Sequence, residues 1–381
     1  MIKSICRIVV LFFIAVNSIT FAADVKITPA NGLIVDGKPF FPIAVWGQPI
    51  RMFDSLNDLG IDTFIGGDLF GKETFKTFLD ELNKKNSYGI IDTGSYSNDL
   101  KKHPALLGWM HGDEPDIAGG NPVKAPRVPP EKLIADYKLF KNKDPFHPVY
   151  VNFGSGQAAG NPPVGVKMYY EFVKGTDIVS FDVYPVNKLG DDMLHIVAKG
   201  MDKVRKYCND KKPCWIWLEC SRIGDKGDTG KTPNASQLKT EVWMSIIHGA
   251  KGIGYFPHTW VPSYKCCDIP KDVQDEMKKI NAKVKSMTEI LLSEDSKREV
   301  KCEAAGDVGK IDILVKEVGG KIYIFAVNMK KAPEKGKFVV SGIKDAVAVV
   351  QDEDRKINIK EGGFEDSFKE YEVHIYEITL K

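Results

Sequence analysis

Short apolar runs alternate with longer stretches of helical periodicity along most of the chain. The apolar runs predict eight strands, each bounded by polar, Gly or Pro positions. These strands are expected at residues 40–46, 63–65, 89–92, 107–113, 149–152, 178–184, 215–219 and 252–256. Helices are expected between most of them, at residues 52–59, 72–85, 130–143, 193–207 and 236–249. Eight strands with intervening helices over about 250 residues predict an α/β fold, a (β/α)8 TIM barrel.

The pattern changes after a long amphipathic helix predicted at residues 271–292. Segments such as IDILVKEV, KIYIFAVNM and YEVHIYEITL alternate apolar and polar residues and are separated by turns rich in Gly, Lys and Asp. Such alternation without intervening helices is typical of an antiparallel sheet or sandwich. We therefore expect a barrel domain over residues 23–293 and a small antiparallel β-sandwich domain over residues 294–381.

The N-terminus has the pattern of a secretory signal peptide. Lys3 and Arg7 precede an apolar run from Ile8 to Val16, and small residues follow up to Ala22. A membrane anchor is the rival interpretation, but the uninterrupted apolar run is shorter than the roughly 20 residues that a spanning helix needs. We expect cleavage after Ala22, release of residues 1–22, and a protein that is secreted or periplasmic and has no membrane partner.

Composition and charge narrow the class of partner. The 381 residues are 43% hydrophobic, and 53 Lys and Arg residues nearly balance 51 Asp and Glu residues. No long basic block is interleaved with aromatic residues, so nucleic acid is not an expected partner. A neutral partner fits better, and the oligomeric state is left open.

Seven cysteines raise the choice between disulfides and a metal site. Loss of Cys6 with the signal peptide leaves an even number, as in exported proteins that form disulfides. Cys208 and Cys214 flank the short turn NDKKP and are the preferred bridge, whereas the pairing of the remainder stays open: Cys220, Cys266, Cys267 and Cys302. Zinc is disfavoured because no Cys-x-x-Cys pair or His-Glu-x-x-His motif is present. We expect no metal and no cofactor.

Acidic and aromatic residues end three of the predicted strands. Glu114 follows the fourth strand, Asp182 and Tyr184 end the sixth, and Glu219 ends the seventh. Active sites of barrel enzymes are built at the C-terminal ends of the strands. Side-chain alternation within the strands also directs Asp182, Tyr184, Trp217 and Glu219 toward the barrel interior.

Two carboxylic acids at one barrel rim suit cleavage of a glycosidic bond. One acid protonates the leaving oxygen, and the second attacks the sugar or stabilises its cation. Structural roles remain open for each residue. Asp113 and Glu114 before Pro115 are also typical of a helix start, a buried Glu219 also fits a salt bridge, and Asp182 and Tyr184 also fit hydrogen-bonded barrel positions.

The chain resembles a family of barrel enzymes in four places. These are the opening NGLIVDGKPFFPIAVWG, the Glu-Pro after the fourth strand, the Tyr-Pro after the sixth and the Glu that ends the seventh. In them it is similar to the (β/α)8 retaining glycoside hydrolases of the superfamily that holds β-galactosidases, cellulases and mannanases. The resemblance covers roughly residues 31–260, and the terminal β domain is similar to domains often appended to such barrels.

The resemblance implies roles for individual residues. Glu114 matches the acid/base, Glu219 the nucleophile, and Tyr184 the tyrosine that hydrogen-bonds and orients the nucleophile. Trp260 matches an aromatic floor under the sugar, although loop packing explains it equally well. Asp113 stands where the family usually has an Asn that contacts the sugar 2-hydroxyl. The expected substrate-binding residues are Asp113, Asn152, Asp182, Trp46, Trp217 and Trp260.

The sequence thus predicts a secreted retaining glycoside hydrolase that acts on a β-linked oligo- or polysaccharide without a cofactor. A non-catalytic carbohydrate-binding or degenerate glycosidase-like barrel is the alternative. An inverting hydrolase on the same fold would differ in the separation of its carboxyl groups, about 6.5 to 9.5 Å instead of about 5 to 5.5 Å.

Overall fold

The computed structural model describes residues 22–117, 125–159, 164–224, 230–304 and 311–380. The expected signal peptide therefore lies almost wholly outside the described residues. A small antiparallel sheet precedes the barrel, and its strands are β1 (Val25–Ile27), β2 (Leu33–Val35) and β3 (Lys38–Phe40). The first predicted strand, 40–46, is thus divided. Pro42 separates the two parts and has no backbone N–H to donate to a sheet ladder.

Eight parallel strands close into a barrel, as the sequence predicted. In chain order they are β4 (Ile43–Trp46), β5 (Thr63–Ile65), β6 (Tyr88–Asp92), β7 (Leu106–Met110), β8 (Val149–Phe153), β9 (Ile178–Asp182), β10 (Cys214–Glu219) and β11 (Gly252–Phe256). Each strand pairs with the next along the chain, and β11 pairs with β4 to close the ring.

Helices follow the barrel strands along the chain. They are α1 (Phe53–Asp58), α2 (Phe75–Lys84), α3 (Asn98–Lys101), α4 (Pro130–Lys143), α5 (Gly156–Ala159), α6 (Val166–Phe172), α7 (Pro185–Lys188), α8 (Ile196–Tyr207), α9 (Ala235–Ile247), α10 (Lys271–Ser286) and α11 (Thr288–Leu292), with 3-10 turns at Ile50–Met52, Thr93–Ser95 and Val173–Gly175. The predicted helix 271–292 is interrupted at Met287, which separates α10 from α11. No helix of the described ranges has the length and apolar character needed to cross a bilayer.

Large side chains on β10 and glycines on the adjacent strand β11 complement each other in size inside the barrel. Trp215 and Trp217 of β10 point inward, as alternation predicted, and stand beside Gly252 and Gly254 of β11. A Cβ atom at Gly254 would lie 2.4 Å from the Trp217 ring, and one at Gly252 would lie 2.7 Å from Trp215. The segment GIG therefore provides the space that the two indole rings occupy, and Trp217 reaches the mouth of the barrel.

The C-terminal region forms the expected antiparallel sandwich. A three-stranded sheet contains β12 (Val300–Ala304), β15 (Glu334–Val340) and β18 (Gly363–Phe368). A five-stranded sheet contains β13 (Ile311–Val318), β14 (Lys321–Asn328), β16 (Ala346–Val350), β17 (Arg355–Ile359) and β19 (Val373–Thr379). One apolar core lies between the sheets, and Phe325 of β14 stacks on Trp243 of α9, which attaches the sandwich to the barrel.

Two barrel strands end earlier than the sequence predicted. The fourth ends at Met110 instead of residue 113, and the sixth ends at Asp182 instead of residue 184. The chain turns away after Met110, and Glu114 adopts a left-handed conformation with φ of 47°. This conformation is far from extended strand geometry, and Asp113 and Glu114 lie in the loop above the barrel.

Candidate active site

A cleft of about 910 Å³ opens at the C-terminal ends of the barrel strands. Carboxyl and aromatic side chains dominate its walls. The lining residues are Trp46, Leu69, Asp113, Glu114, Asn152, Ser155, Asp182, Tyr184, Lys188, Trp217, Ile223, Gly224, Phe256 and Trp260. The structure therefore brings eight of the nine predicted catalytic and substrate-binding residues together, all except Glu219.

Glu114 is held in a strained backbone conformation over the cleft. Its positive φ is uncommon for a residue other than glycine, and its N–H donates to the carbonyl of Asn152 at 3.1 Å. The carboxyl group lies above Gly154, where a Cβ atom would come within 3.1 Å of Glu114 Oε1. The glycine thus leaves room for the acid.

The surroundings of Glu114 favour its protonated form. Burial and then the negative charges of Asp113 and Asp116 raise the pKa of Glu114 to about 7, while Arg127 opposes them. Asp116 is fully buried, and its carboxyl accepts from the Gly154 N–H at 3.0 Å and from the Tyr169 hydroxyl at 2.7 Å. A carboxylic acid with this pKa can donate a proton near neutral pH.

A chain of hydrogen bonds connects Asp113 to the barrel interior. Asn152 Nδ2 donates to Asp113 Oδ1 at 3.1 Å, and Asn152 Oδ1 accepts from Ser180 Oγ at 2.7 Å. Ser180 and Tyr150 share a short hydrogen bond, and Trp217 Nε1 donates to the Tyr150 hydroxyl at 2.6 Å. The amide of Asn152 is therefore oriented so that it donates to Asp113, which fixes that carboxyl in the cleft.

Asp182 brings a third carboxyl group to the cleft. Its Oδ1 atom is buried and has no hydrogen-bond partner among the described residues. Burial and then the negative charges of Glu114 and Asp113 raise the pKa of Asp182 well above its usual range. Neighbouring carboxyl groups in a low-dielectric site cannot all ionise, so they share protons.

Tyr184 lies beside Asp182 in this structure. Burial and then the negative charges of Asp182, Asp113 and Glu114 raise the pKa of Tyr184. Its ring packs 5.5 Å from the ring of Phe256. The sequence predicted a hydrogen bond from Tyr184 to Glu219, but the tyrosine instead lies next to a different carboxyl of the same cleft.

Glu219 lies in the wall behind the cleft and is fully buried. Its Oε1 accepts from the Val186 N–H at 2.5 Å, and its Oε2 accepts from Asn187 N at 2.7 Å and Asn187 Nδ2 at 2.5 Å. These amides belong to the first turn of α7, where backbone N–H groups favour an anion. The inward orientation predicted for Glu219 is therefore not observed, although Trp217 two residues earlier does point inward.

The other neighbour of Glu219 is a second buried acid, Glu241 of α9. Neither carboxyl oxygen of Glu241 has a donor group within the described ranges, and the carboxyl of Glu219 lies beside it. Burial and the charge of Glu219 raise the pKa of Glu241 well above its usual range, and burial raises the pKa of Glu219 to about 7. The raised pKa values of both carboxyls indicate that Glu219 and Glu241 share a proton. The nucleophilic role of Glu219 stays a prediction, and this geometry does not favour it.

Aromatic side chains form the walls of the cleft. Trp46 and Trp217 meet edge to face with ring centroids 5.1 Å apart at the base of the cleft. Trp260 lies at the rim and is 38% exposed. Aromatic walls with a small number of polar groups are the usual composition of a small-molecule binding pocket.

Sequence reasoning missed several cleft residues. Leu69, Ser155 and Lys188 lie in loops or a short helix, where no periodic pattern directs a side chain. Phe256 is the last residue of the predicted eighth strand, so its strand-end position was an available signal. The loop residues gave no comparable signal.

The cysteine prediction remains untested. Cys208 and Cys214 are neighbours with Sγ atoms 4.0 Å apart, but both are free thiols, as are the other four described cysteines. A disulfide requires about 2.05 Å between the sulfurs, so a side-chain rotation would be needed. No group of three or more His, Cys, Asp or Glu residues in the described ranges is arranged to hold a metal ion.

Comparison with solved structures finds the same architecture. A structure described as a glycoside hydrolase has a TM-score of 0.55 at 13% identity, over 94% of this chain and 97% of that chain. A maltogenic alpha-amylase, AmyB from Thermotoga neapolitana, has a TM-score of 0.53 at 10% identity, over 89% and 99%. AmyP in complex with maltotriose has a TM-score of 0.52 at 10% identity, over 87% and 90%.

Comparisons of the sequence with family models and with curated proteins found no match. At identities of 10 to 13% the structural likeness shows the fold, a barrel of the type found in glycoside hydrolases.

Proposed function

We propose that this protein is a glycoside hydrolase. The observation that supports it best is the group of three carboxyls, from Asp113, Glu114 and Asp182, that faces one aromatic-walled cleft at the catalytic end of a (β/α)8 barrel. Among them Glu114 has a pKa raised to about 7. Cleavage of a glycosidic bond needs a protonated acid beside an ionised carboxylate, and the cleft contains residues suited to both roles.

Glu114 is the proposed general acid. It would donate its proton to the oxygen of the leaving sugar as the glycosidic bond breaks. In the second half of a retaining reaction the same carboxylate would accept a proton from the attacking water. The strained backbone of Glu114 and its position above Gly154 fit a residue that is held for such a purpose.

Asp182 is the proposed second carboxyl. It faces the cleft, and the charge of Glu114 is the largest of the neighbouring charges that raise its pKa, so a proton on Glu114 favours the ionised form of Asp182 that the reaction needs. Glu219, which the family resemblance assigns as nucleophile, would have to leave three amide donors and its partner Glu241 before it could reach a sugar. We therefore place Asp182 at the anomeric carbon and treat Glu219 as a residue that positions the loop after β9.

Retention and β-linkage are the finer parts of the proposal. Both rest on the resemblance of the Glu-Pro and Tyr-Pro motifs to retaining enzymes of β-linked substrates. The solved structures with the same fold include amylases, so α-linked substrates belong in any test. The test is a screen of the purified protein against cellopentaose, xylopentaose, mannopentaose, maltopentaose and the corresponding p-nitrophenyl glycosides. Release of sugar from a β-linked compound supports the proposal, whereas cleavage of maltopentaose alone would contradict β-specificity.

A carbohydrate-binding barrel without turnover is the alternative. The withdrawal of Glu219 into the wall favours it, because the acid expected to attack the sugar is then unavailable. Calorimetry on the same pentasaccharides separates the two functions. Tight binding with no product after prolonged incubation would favour the binding protein, and measurable hydrolysis would exclude it.

We also propose that the protein is exported, since an extracellular glycoside hydrolase would meet polysaccharide directly. The proposal rests on the charged, apolar and small-residue segments that end at Ala22. Mass spectrometry of the protein from culture medium or periplasm tests it. A mature N-terminus at Ala23 is expected, and an intact chain that begins at Met1 in the membrane fraction would contradict it.

A further inference from the structure

A group of aromatic residues extends from Trp260 of the cleft lining away from the carboxyl groups. It consists of Phe70, Trp260 and Tyr264, which we call the aromatic ledge. The ring centroids of Phe70 and Tyr264 are 4.7 Å apart, and those of Trp260 and Tyr264 are 5.1 Å apart. Phe70 follows β5 and the other two follow β11, so two loops of the barrel build one surface.

The ledge is exposed to solvent to an unusual degree for three large aromatic side chains in contact. Phe70 is 67% exposed, Trp260 38% and Tyr264 36%. A contiguous exposed apolar patch at a cleft rim is typical of a binding surface, because solvent exposure of such side chains is unfavourable until a ligand covers them. The buried Trp46 and Trp217 at the base of the cleft have no such exposure.

Hydrogen bonds hold the β11 loop in place. The Trp260 N–H donates to the carbonyl of Ile223 at 2.8 Å, and Thr259 and Lys265 form an isolated antiparallel bridge around the ring-bearing segment. The Thr259 hydroxyl also donates to the carbonyl of Arg222 at 2.6 Å. Trp260 is therefore anchored to the neighbouring loop after β10.

His258 holds the Tyr264 side chain in position through a hydrogen bond and ring stacking. Burial lowers the pKa of His258 to about 4, so its ring is neutral near pH 7. His258 Nε2 lies 3.0 Å from the carbonyl of Trp46 and donates to it, which leaves Nδ1 to accept from the Tyr264 hydroxyl at 3.2 Å. The histidine ring also stacks on Trp260 and Tyr264, with centroids 5.8 Å from each.

Phe70 is positioned by its own loop. Leu69 packs on Gly47, where a Cβ atom would come within 2.6 Å of the leucine, and the positive φ of Gly47 also favours glycine. The Phe70 N–H donates to Asp68 Oδ1 at 3.1 Å. The loop thus closes toward the barrel mouth and presents the Phe70 ring to solvent beside Tyr264.

We propose that the aromatic ledge binds a sugar residue of a chain whose neighbouring residue occupies the cleft, so that the substrate is an oligo- or polysaccharide. This inference rests on the proposed function and specifies its substrate class. Trp260 belongs to both the cleft lining and the ledge, which makes the two surfaces continuous. An aromatic face complements the apolar C–H face of a pyranose ring, while the sugar hydroxyls stay in water. That continuity favours a carbohydrate over a protein partner.

The test measures binding in an inactivated background, where turnover plays no part. Cellopentaose, xylopentaose, mannopentaose and maltopentaose are titrated by calorimetry into Glu114→Gln and into Glu114→Gln combined with Phe70→Ala. Loss of one stacked aromatic ring should raise the Kd of the bound pentasaccharide by about tenfold. Phe146→Ala is the matched control, because Phe146 is 74% exposed but lies before β8 at the opposite end of the barrel. It should leave the Kd unchanged.

The possible outcomes test sugar binding by the ledge separately from the proposed hydrolase function. An unchanged Kd in Phe70→Ala would overturn the proposal that the ledge binds a sugar residue. Failure of every pentasaccharide to bind, while wild type cleaves p-nitrophenyl glycosides, would overturn it as well. Weakened binding in Phe70→Ala with no hydrolysis by wild type would support the ledge and overturn the proposed function. Neither binding nor hydrolysis would overturn both.

Discussion

The carboxyl group of Glu114 lies over Gly154, so that a methyl group at residue 154 would sit 3.1 Å from Glu114 Oε1. This contact is tighter than ordinary van der Waals packing, and the acid would have to move. We expect Gly154→Ala to lower kcat/KM by about tenfold, since small displacements of a catalytic group are costly. Thermal stability should change little. Gly112→Ala is the control, because the space beside Gly112 is empty, and an equal loss of activity in both variants would contradict the account.

The raised pKa of Glu114 predicts a pH dependence. The acid is active when protonated, so on the alkaline side kcat/KM should fall as pH rises through about 7. The fall should be steeper for a natural oligosaccharide than for a p-nitrophenyl glycoside, whose leaving group needs little protonation. Rate profiles from pH 4 to 9 on both substrates test this. Identical profiles would argue against Glu114 as the acid.

The assignment of the second carboxyl can be tested by two isosteric variants. Asp182→Asn should lower kcat by about a thousandfold or more while pentasaccharide binding persists, because a group that acts on the transition state is removed. Glu219→Gln should lower the melting temperature, because its amide group places an N–H where Val186 and Asn187 need acceptors. A folded but inactive Glu219→Gln together with an active Asp182→Asn would return the nucleophile to Glu219.

The buried pair of Glu219 and Glu241 predicts a pH-dependent stability. Both pKa values are raised in the folded protein, so their contribution is complete below about pH 4.5 and is lost as pH rises through about 7 and above. Glu241→Gln keeps a donor to Glu219 and removes one titrating group. The unfolding free energy of the variant should therefore fall less between pH 5 and 8 than that of wild type, and equal slopes would contradict a shared proton.

The barrel could be predicted because its strands have a strong local signal. The spacing of segments such as 63–65 and 252–256, with helical periodicity between them, left few alternatives to eight βα units. The matching of WIW in β10 with GIG in β11 also follows from size complementarity within one layer of the barrel. The placement of Glu114 and Asn152 at the cleft then follows from the position of strand ends.

Glu219 shows where alternation stops being informative. The period of two holds for Trp215 and Trp217, which neighbouring strands confine on both sides. Glu219 is the last residue of the strand, and the amides of Val186 and Asn187 compete for its carboxyl from a loop far away in sequence. Phe70 was missed for a related reason, since loop residues have no periodicity and their contacts are long-range.

Chemical rescue of Glu114→Ala by azide tests the central claim most directly. With a p-nitrophenyl β-glycoside, the first step needs little acid and should survive, whereas the second step lacks its base and becomes slow. Azide needs no base, so it should restore the rate of the variant and form a β-glycosyl azide, with no such effect on wild type. A Glu114→Ala variant with wild-type rates, or a slow variant that azide does not rescue, would contradict the assignment of Glu114 as the acid/base of a retaining glycoside hydrolase.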